Sequence, residues 1–79
     1  MEKNVIDYIR KAYVGVEITN GDTIMKVNDI IPGKKNVIRF NLEFVKKGFT
    51  HQIDTVRILL EIEKKVQQYF SKIKLEFSY

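Results

Sequence analysis

The sequence predicts an α+β domain of order α-β-β-β-α-β, a four-stranded mixed sheet with both helices on one face. Three observations carry that prediction. Apolar residues recur at helical spacing in two segments that flank a region of strict alternation. The dipeptide Asn20-Gly21 divides the first alternating run in two, as a tight hairpin does. The residues from Ile73 to Tyr79 alternate again, so a strand follows the second helix. A chain of 79 residues leaves room for one domain, spanning 1–79.

Glu2 to about Tyr13 reads as the first helix. Val5, Ile6, Ile9, Ala12 and Tyr13 form its apolar stripe, and Lys3, Asp7, Arg10 and Lys11 take the other side. Val14, Val16 and Ile18 then alternate with Gly15, Glu17 and Thr19. Asn20 and Gly21 tolerate positive φ, which a type I′ turn requires at both central positions. With those two residues in the turn, Ile18 faces Thr23, Val16 faces Met25 and Val14 faces Val27, all on one side of the hairpin.

Ile31-Pro32-Gly33-Lys34 fits a type II turn, with proline second and glycine third. Ile38, Phe40, Leu42 and Phe44 alternate with Val37, Arg39, Asn41, Glu43 and Val45 to make a long third strand that Gly48 ends. From Thr50 or Asp54 the period becomes helical. Ile53, Val56, Leu59, Leu60, Val66, Tyr69 and Phe70 are expected along one broad buried stripe, with Ile62 at its margin. Glu61 and Lys65 form an i,i+4 pair on the exposed side. Residues Phe49 to Ile53 have a second reading, as a short strand paired across Lys47-Gly48. In the tail Ile73, Leu75, Phe77 and Tyr79 point inward. The right-handed crossover rule sets this strand parallel to strand one or strand three.

The order helix, three antiparallel strands, helix resembles that of double-stranded-RNA-binding domains. The resemblance is one of topology alone. The chain adds a last strand, and its Lys64-Lys65 pair lies mid-helix rather than at the helix start.

Little here points to catalysis. Without cysteine there is no disulfide, zinc-thiolate site, iron–sulfur cluster or thiol nucleophile. His51 is the only histidine, and with Asp54 it supplies two metal ligands where catalytic zinc takes three. Ser71 and Ser78 could be set beside His51, but neither stands on a nucleophile elbow. Glu61 and Glu63 diverge on their helix. Glu17, Glu43 and Glu76 share the outer sheet face with Lys26, Arg39 and Lys74, which reads as cross-strand ion pairing. Gly15, Gly21, Gly33 and Gly48 are isolated, so no phosphate loop exists. The expectation is no enzyme, no metal and no cofactor.

Charge gives the best functional hint. The net charge of +4 resides in residues 33–50, where Lys34, Lys35, Arg39, Lys46 and Lys47 outnumber Glu43. Those five basic residues are the candidate anion or nucleic-acid contacts. Lys35 and Lys46 stand roughly 36 Å apart along an extended strand, so they mark two ends of the sheet. The aromatics Phe40, Phe44, Phe77 and Tyr79 share faces with aliphatic residues and read as core, not as a base-stacking platform.

The favoured reading is a small non-enzymatic interaction protein. Its expected partner is another protein or a second copy, joined through an edge strand or the second helix. The alternatives are nucleic-acid binding through residues 33–50, and a structural subunit or inhibitor from a mobile element. No small-molecule substrate is evident. The longest purely apolar run is Ile58-Leu59-Leu60 and no apolar leader opens the chain, so no membrane association and a cytoplasmic location are expected.

Overall fold

The computed structural model describes the chain from Met1 to Tyr79. Helix α1 (Lys3–Tyr13), strands β1 (Glu17–Asn20), β2 (Thr23–Pro32) and β3 (Val37–Lys46), helix α2 (His51–Tyr69) and strand β4 (Lys74–Ser78) follow in the expected order. The strands lie side by side as β1-β2-β3-β4. The first three are antiparallel, and β4 joins β3 in parallel after the α2 crossover, one of the two placements foreseen.

Helix α1 buries Ile6 and Ile9, with Val5 and Tyr13 half-buried beside them. Arg10 and Lys11 stand in its last turn, where positive charge suits the helix dipole. Arg10 also fixes the helix to the sheet, its Nε–H donating to the Ile30 carbonyl at 2.9 Å. Gly15 then adopts φ +88°, which bends the chain. Strand β1 therefore begins at Glu17 rather than at Val14, and Val14 and Val16 are exposed. Two hydrogen bonds still tie this approach to β2, from Gly15 N–H to the Val27 carbonyl at 2.8 Å and from Val27 N–H to the Val16 carbonyl at 3.0 Å.

The hairpin register differs from expectation. Ile18 faces Met25 and Asn20 faces Thr23, so the turn residues are Gly21 and Asp22. Gly21 takes φ +58° and Asp22 has no positive φ, the pattern of a turn with glycine at its first central position. Sliding the turn by one residue moves the pairing by two and keeps every side chain on its original face. The apolar pattern could not separate the two registers, because both satisfy it.

The β2–β3 connection is also displaced. Pro32 ends β2 opposite Ile38. The turn is Lys34 to Val37, closed by Val37 N–H donating to the Lys34 carbonyl at 3.1 Å, with Lys35 at φ 55°. The Ile31-Pro32-Gly33-Lys34 turn does not form, because the proline completes the strand. The two strands carry bulges at Asn28 and Val45, where the register shifts. The first bulge lets Val27 and Ile30, three apart, both enter the core. Each bulge lies beyond the point where the outer neighbour, β1 or β4, has stopped pairing.

The largest correction concerns α2. It starts at His51, which excludes the short strand at Phe49–Ile53. It buries Asp54, Thr55, Ile58, Ile62 and Val66, while Ile53, Val56, Leu60 and Tyr69 face solvent. Ile62 lies at the centre of the buried stripe rather than at its margin.

A buried polar knot accounts for this roll of the helix. Asp54 is 3% exposed, and its Oδ2 accepts hydrogen bonds from the Thr23 and Thr50 hydroxyls, each at 2.9 Å. The Thr23 hydroxyl in turn accepts the Gly48 N–H at 3.2 Å. A carboxylate so deeply buried must keep these donors. It therefore turns its side of α2 toward the hairpin.

The core joins Ile6 and Ile9 of α1, Met25, Val27 and Ile30 of β2, Ile38, Phe40 and Leu42 of β3, Ile58, Ile62 and Val66 of α2, and Ile73. Phe40 anchors it, with the Tyr13 ring 5.7 Å away in an edge-on contact and the Phe77 ring at 5.9 Å. The opposite sheet face is mainly polar, as expected, with Ile24, Ile31 and Val37 the apolar residues that the register places on it. Glu17, Lys26 and Glu43 lie in register across three strands, and Arg39 reaches Glu76 at 3.4 Å.

Candidate functional site

The side of α2 turned away from the sheet is the most unusual surface of the molecule. Ile53, Val56 and Leu60 lie roughly 150° around the helix from the buried stripe, at 100° per residue. They are 52%, 55% and 58% exposed. Phe49, in the loop just before the helix, is 97% exposed. Surface leucines scattered singly are ordinary, but three large apolar residues along one stripe of a helix, with an exposed phenylalanine in the loop before it, are not. Arg57 lies four residues beyond Ile53 and Lys64 four beyond Leu60, so both cations flank this ridge. Both are exposed.

Beside the start of α2 lies an open cleft lined by Phe44, Lys47, His51, Gln52, Thr55 and Tyr79. The His51 ring is held from two sides. Its Nδ1–H donates to the Gly48 carbonyl at 3.0 Å, and its ring stands perpendicular to that of Phe44 with the centroids 6.1 Å apart. His51 and Asp54 share the helix but not a site, since Asp54 faces Thr23. No hydrogen bond links His51 to Ser71 or Ser78. No three His, Asp or Glu side chains converge where a metal could sit.

The basic candidates do not come together. Lys34 and Lys35 occupy the β2–β3 turn, and Lys46 ends β3 at its far end with Lys47 just after it, along a molecule 39 Å in its longest dimension. Arg39, between them, is paired with Glu76. The Lys47 ammonium rests 5.2 Å from the centre of the Phe44 ring. The only other ion pair is Glu61–Lys65, at 3.6 Å. No aromatic ring stands among the exposed residues of the outer sheet face.

A second apolar groove runs between the two helices, lined by Tyr8, Ala12, Tyr13, Tyr69 and Phe70 among others. Burial, reinforced by the neighbouring Tyr8, Tyr69 and Glu61, raises the Tyr13 phenol above its ordinary range. The Tyr8 and Phe70 rings meet edge-on at 5.9 Å.

Sequence reasoning missed the α2 ridge because it assigned Ile53, Val56 and Leu60 to the core. A signal was present. α2 carries two apolar stripes, Ile58-Ile62-Val66 and Ile53-Val56-Leu60, and one sheet can cover only one of them. No helix is long and apolar enough to cross a membrane. No protein family, no curated protein and no solved structure matches this chain.

Proposed function

We propose that this chain is a non-enzymatic interaction module that engages a protein partner through the outer ridge of α2. The observation that carries the reading is the second apolar stripe of α2 together with the fully projecting ring of Phe49. One aromatic residue beside aliphatic side chains, rimmed by arginine and lysine, has the composition of an interface core and its rim.

The sheet edges offer less. The two outer strands are short, β1 with four residues and β4 with five, and β4 carries Lys74 and Glu76; β2 and β3 bulge where these neighbours stop, and Pro32 and Lys46 stand at the ends of those bare stretches. Such features discourage strand addition. Between the two routes expected for association, edge strand or second helix, this favours the helix.

The test is affinity capture from cell extract with the wild-type chain, an Ile53→Ser/Leu60→Ser variant and a Lys34→Ala/Lys35→Ala variant. A protein held by the wild type and by the lysine variant, but lost from the ridge variant, supports the reading. Capture that survives the ridge substitutions and is lost from the lysine variant would replace it with the basic surface.

A further inference from the structure

We infer that the occupant of the ridge is an acidic amphipathic helix of another protein, laid along α2 as in a short coiled coil. This rests on the interaction reading and adds the chemistry of the partner. Ile53, Val56 and Leu60 are spaced by three and four residues, the alternation of a heptad seam, and Phe49 projects from the loop that leads into it. With Ile53 and Leu60 at a positions and Val56 at d, the e positions are Arg57 and Lys64 and the g positions Gln52 and Leu59.

Charge decides between a second copy and a different partner. Neither Arg57 nor Lys64 belongs to either of the ion pairs, Arg39–Glu76 and Glu61–Lys65. Glu63, at the d position after Leu60, is the one unpaired carboxylate on the line. In an antiparallel pair of α2 helices, e faces e, so Arg57 and Lys64 meet only cations. In a parallel pair, e faces g, and neither Gln52 nor Leu59 carries a charge. Flanking charges of this kind set partner choice more than affinity. Self-pairing leaves them unmet in both orientations, whereas glutamate or aspartate along the facing helix satisfies them. The seam from Ile53 to Leu60 spans about 10 Å of helix, so the contact falls below the roughly 800 Å² per partner of a standard interface. A weak, reversible complex is expected.

The experiment uses two synthetic three-heptad peptides with the same leucine and isoleucine seam, one with glutamate and one with lysine at every e and g position. Each is titrated into the isotope-labelled full chain while amide resonances are followed. The acidic peptide should shift the resonances of Ile53, Val56 and Leu60, and should bind about tenfold more tightly than the basic one, less so as salt rises. An Arg57→Glu/Lys64→Glu variant should reverse the preference. Both positions are exposed, and an unchanged melting temperature shows that the fold is retained. Equal binding of the two peptides, or binding of neither, overturns the inference.

Two further outcomes separate this inference from the reading beneath it. If light scattering gives twice the 9.3 kDa of the chain and Leu60→Ser restores the monomer, a second copy holds the ridge. The interaction reading then stands and the acidic helix falls. If vesicles containing an anionic lipid shift the same amides and the acidic peptide does not, both readings fall in favour of a lipid surface.

Discussion

Asp54 fixes the roll of α2 against the sheet. Its carboxylate accepts two threonine hydroxyls beneath the start of α2 and so ties that helix to the β1–β2 hairpin. Asp54→Ala leaves both hydroxyls without their acceptor and should cost about 2–4 kcal/mol by urea unfolding. Asp54→Asn keeps one oxygen acceptor and should cost clearly less. Glycines make the knot possible. A Cβ on Gly21 would lie 2.8 Å from Asp54 Oδ1, at a φ that other residues avoid. A Cβ on Gly48 would lie 2.7 Å from the Asp22 main-chain carbon, so Gly48→Ala should destabilise by about 2 kcal/mol or more. A neutral midpoint for Gly48→Ala would show that the hairpin can yield.

Tyr13 adds a dependence on pH. Its phenol is raised in the folded state, mainly by burial. The neutral form is therefore favoured on folding. The stability this gives is whole below the ordinary phenol pKa of about 10 and is lost as pH rises through the folded value. Tyr13→Phe should melt like the wild type at neutral pH and lose less stability above about pH 10. Melting curves of equal slope against pH for the two proteins would remove Tyr13 from the alkaline transition.

At the level of elements, α2 shows best what a sequence can and cannot reveal. Its existence and its helical type were legible from the period alone. Its roll was not, because two apolar stripes compete and the choice depends on contacts distant in sequence, Asp54 with Thr23 above all. The same holds for the hairpin, where alternation determined the face of each side chain but left two registers equally acceptable. Helix α1, the inward face of β3 and the parallel return of β4 needed only local pattern and the handedness rule, and all three were legible. The ridge that now serves as the candidate site was hidden for the reason that α2's roll was. The two stripes make opposite predictions. Ile62→Ala, in the core, should cost about 2–5 kcal/mol, whereas Leu60→Ser should stay within about 0.5 kcal/mol of the wild type. Denaturant midpoints measure both. A large loss from Leu60→Ser would mean that the ridge is a structural support and not a contact surface.

For the molecule as a whole, the distribution of charge matters more than its sum. The net charge of +4 is divided between two ends of a 39 Å body, with the central Arg39 already paired. Spread in this way, it should give weak retention on immobilised duplex RNA or DNA that disappears near physiological salt. Retention that persists there, and falls when Lys34, Lys35, Lys46 and Lys47 become alanine, would restore the nucleic-acid reading.

The parallel pairing of β4 with β3 has a consequence for the order in which the chain folds. A hairpin closes within microseconds, so β2 and β3 can pair at once when the chain is released from denaturant. β4 reaches its place only after the 19 residues of α2 have crossed the sheet. During that interval Ile38 and Phe40 sit beside an open backbone edge. Mixing with other unfolded chains is hardest to avoid there, so the yield of refolding should fall as concentration rises, without any change in the contacts of the finished fold.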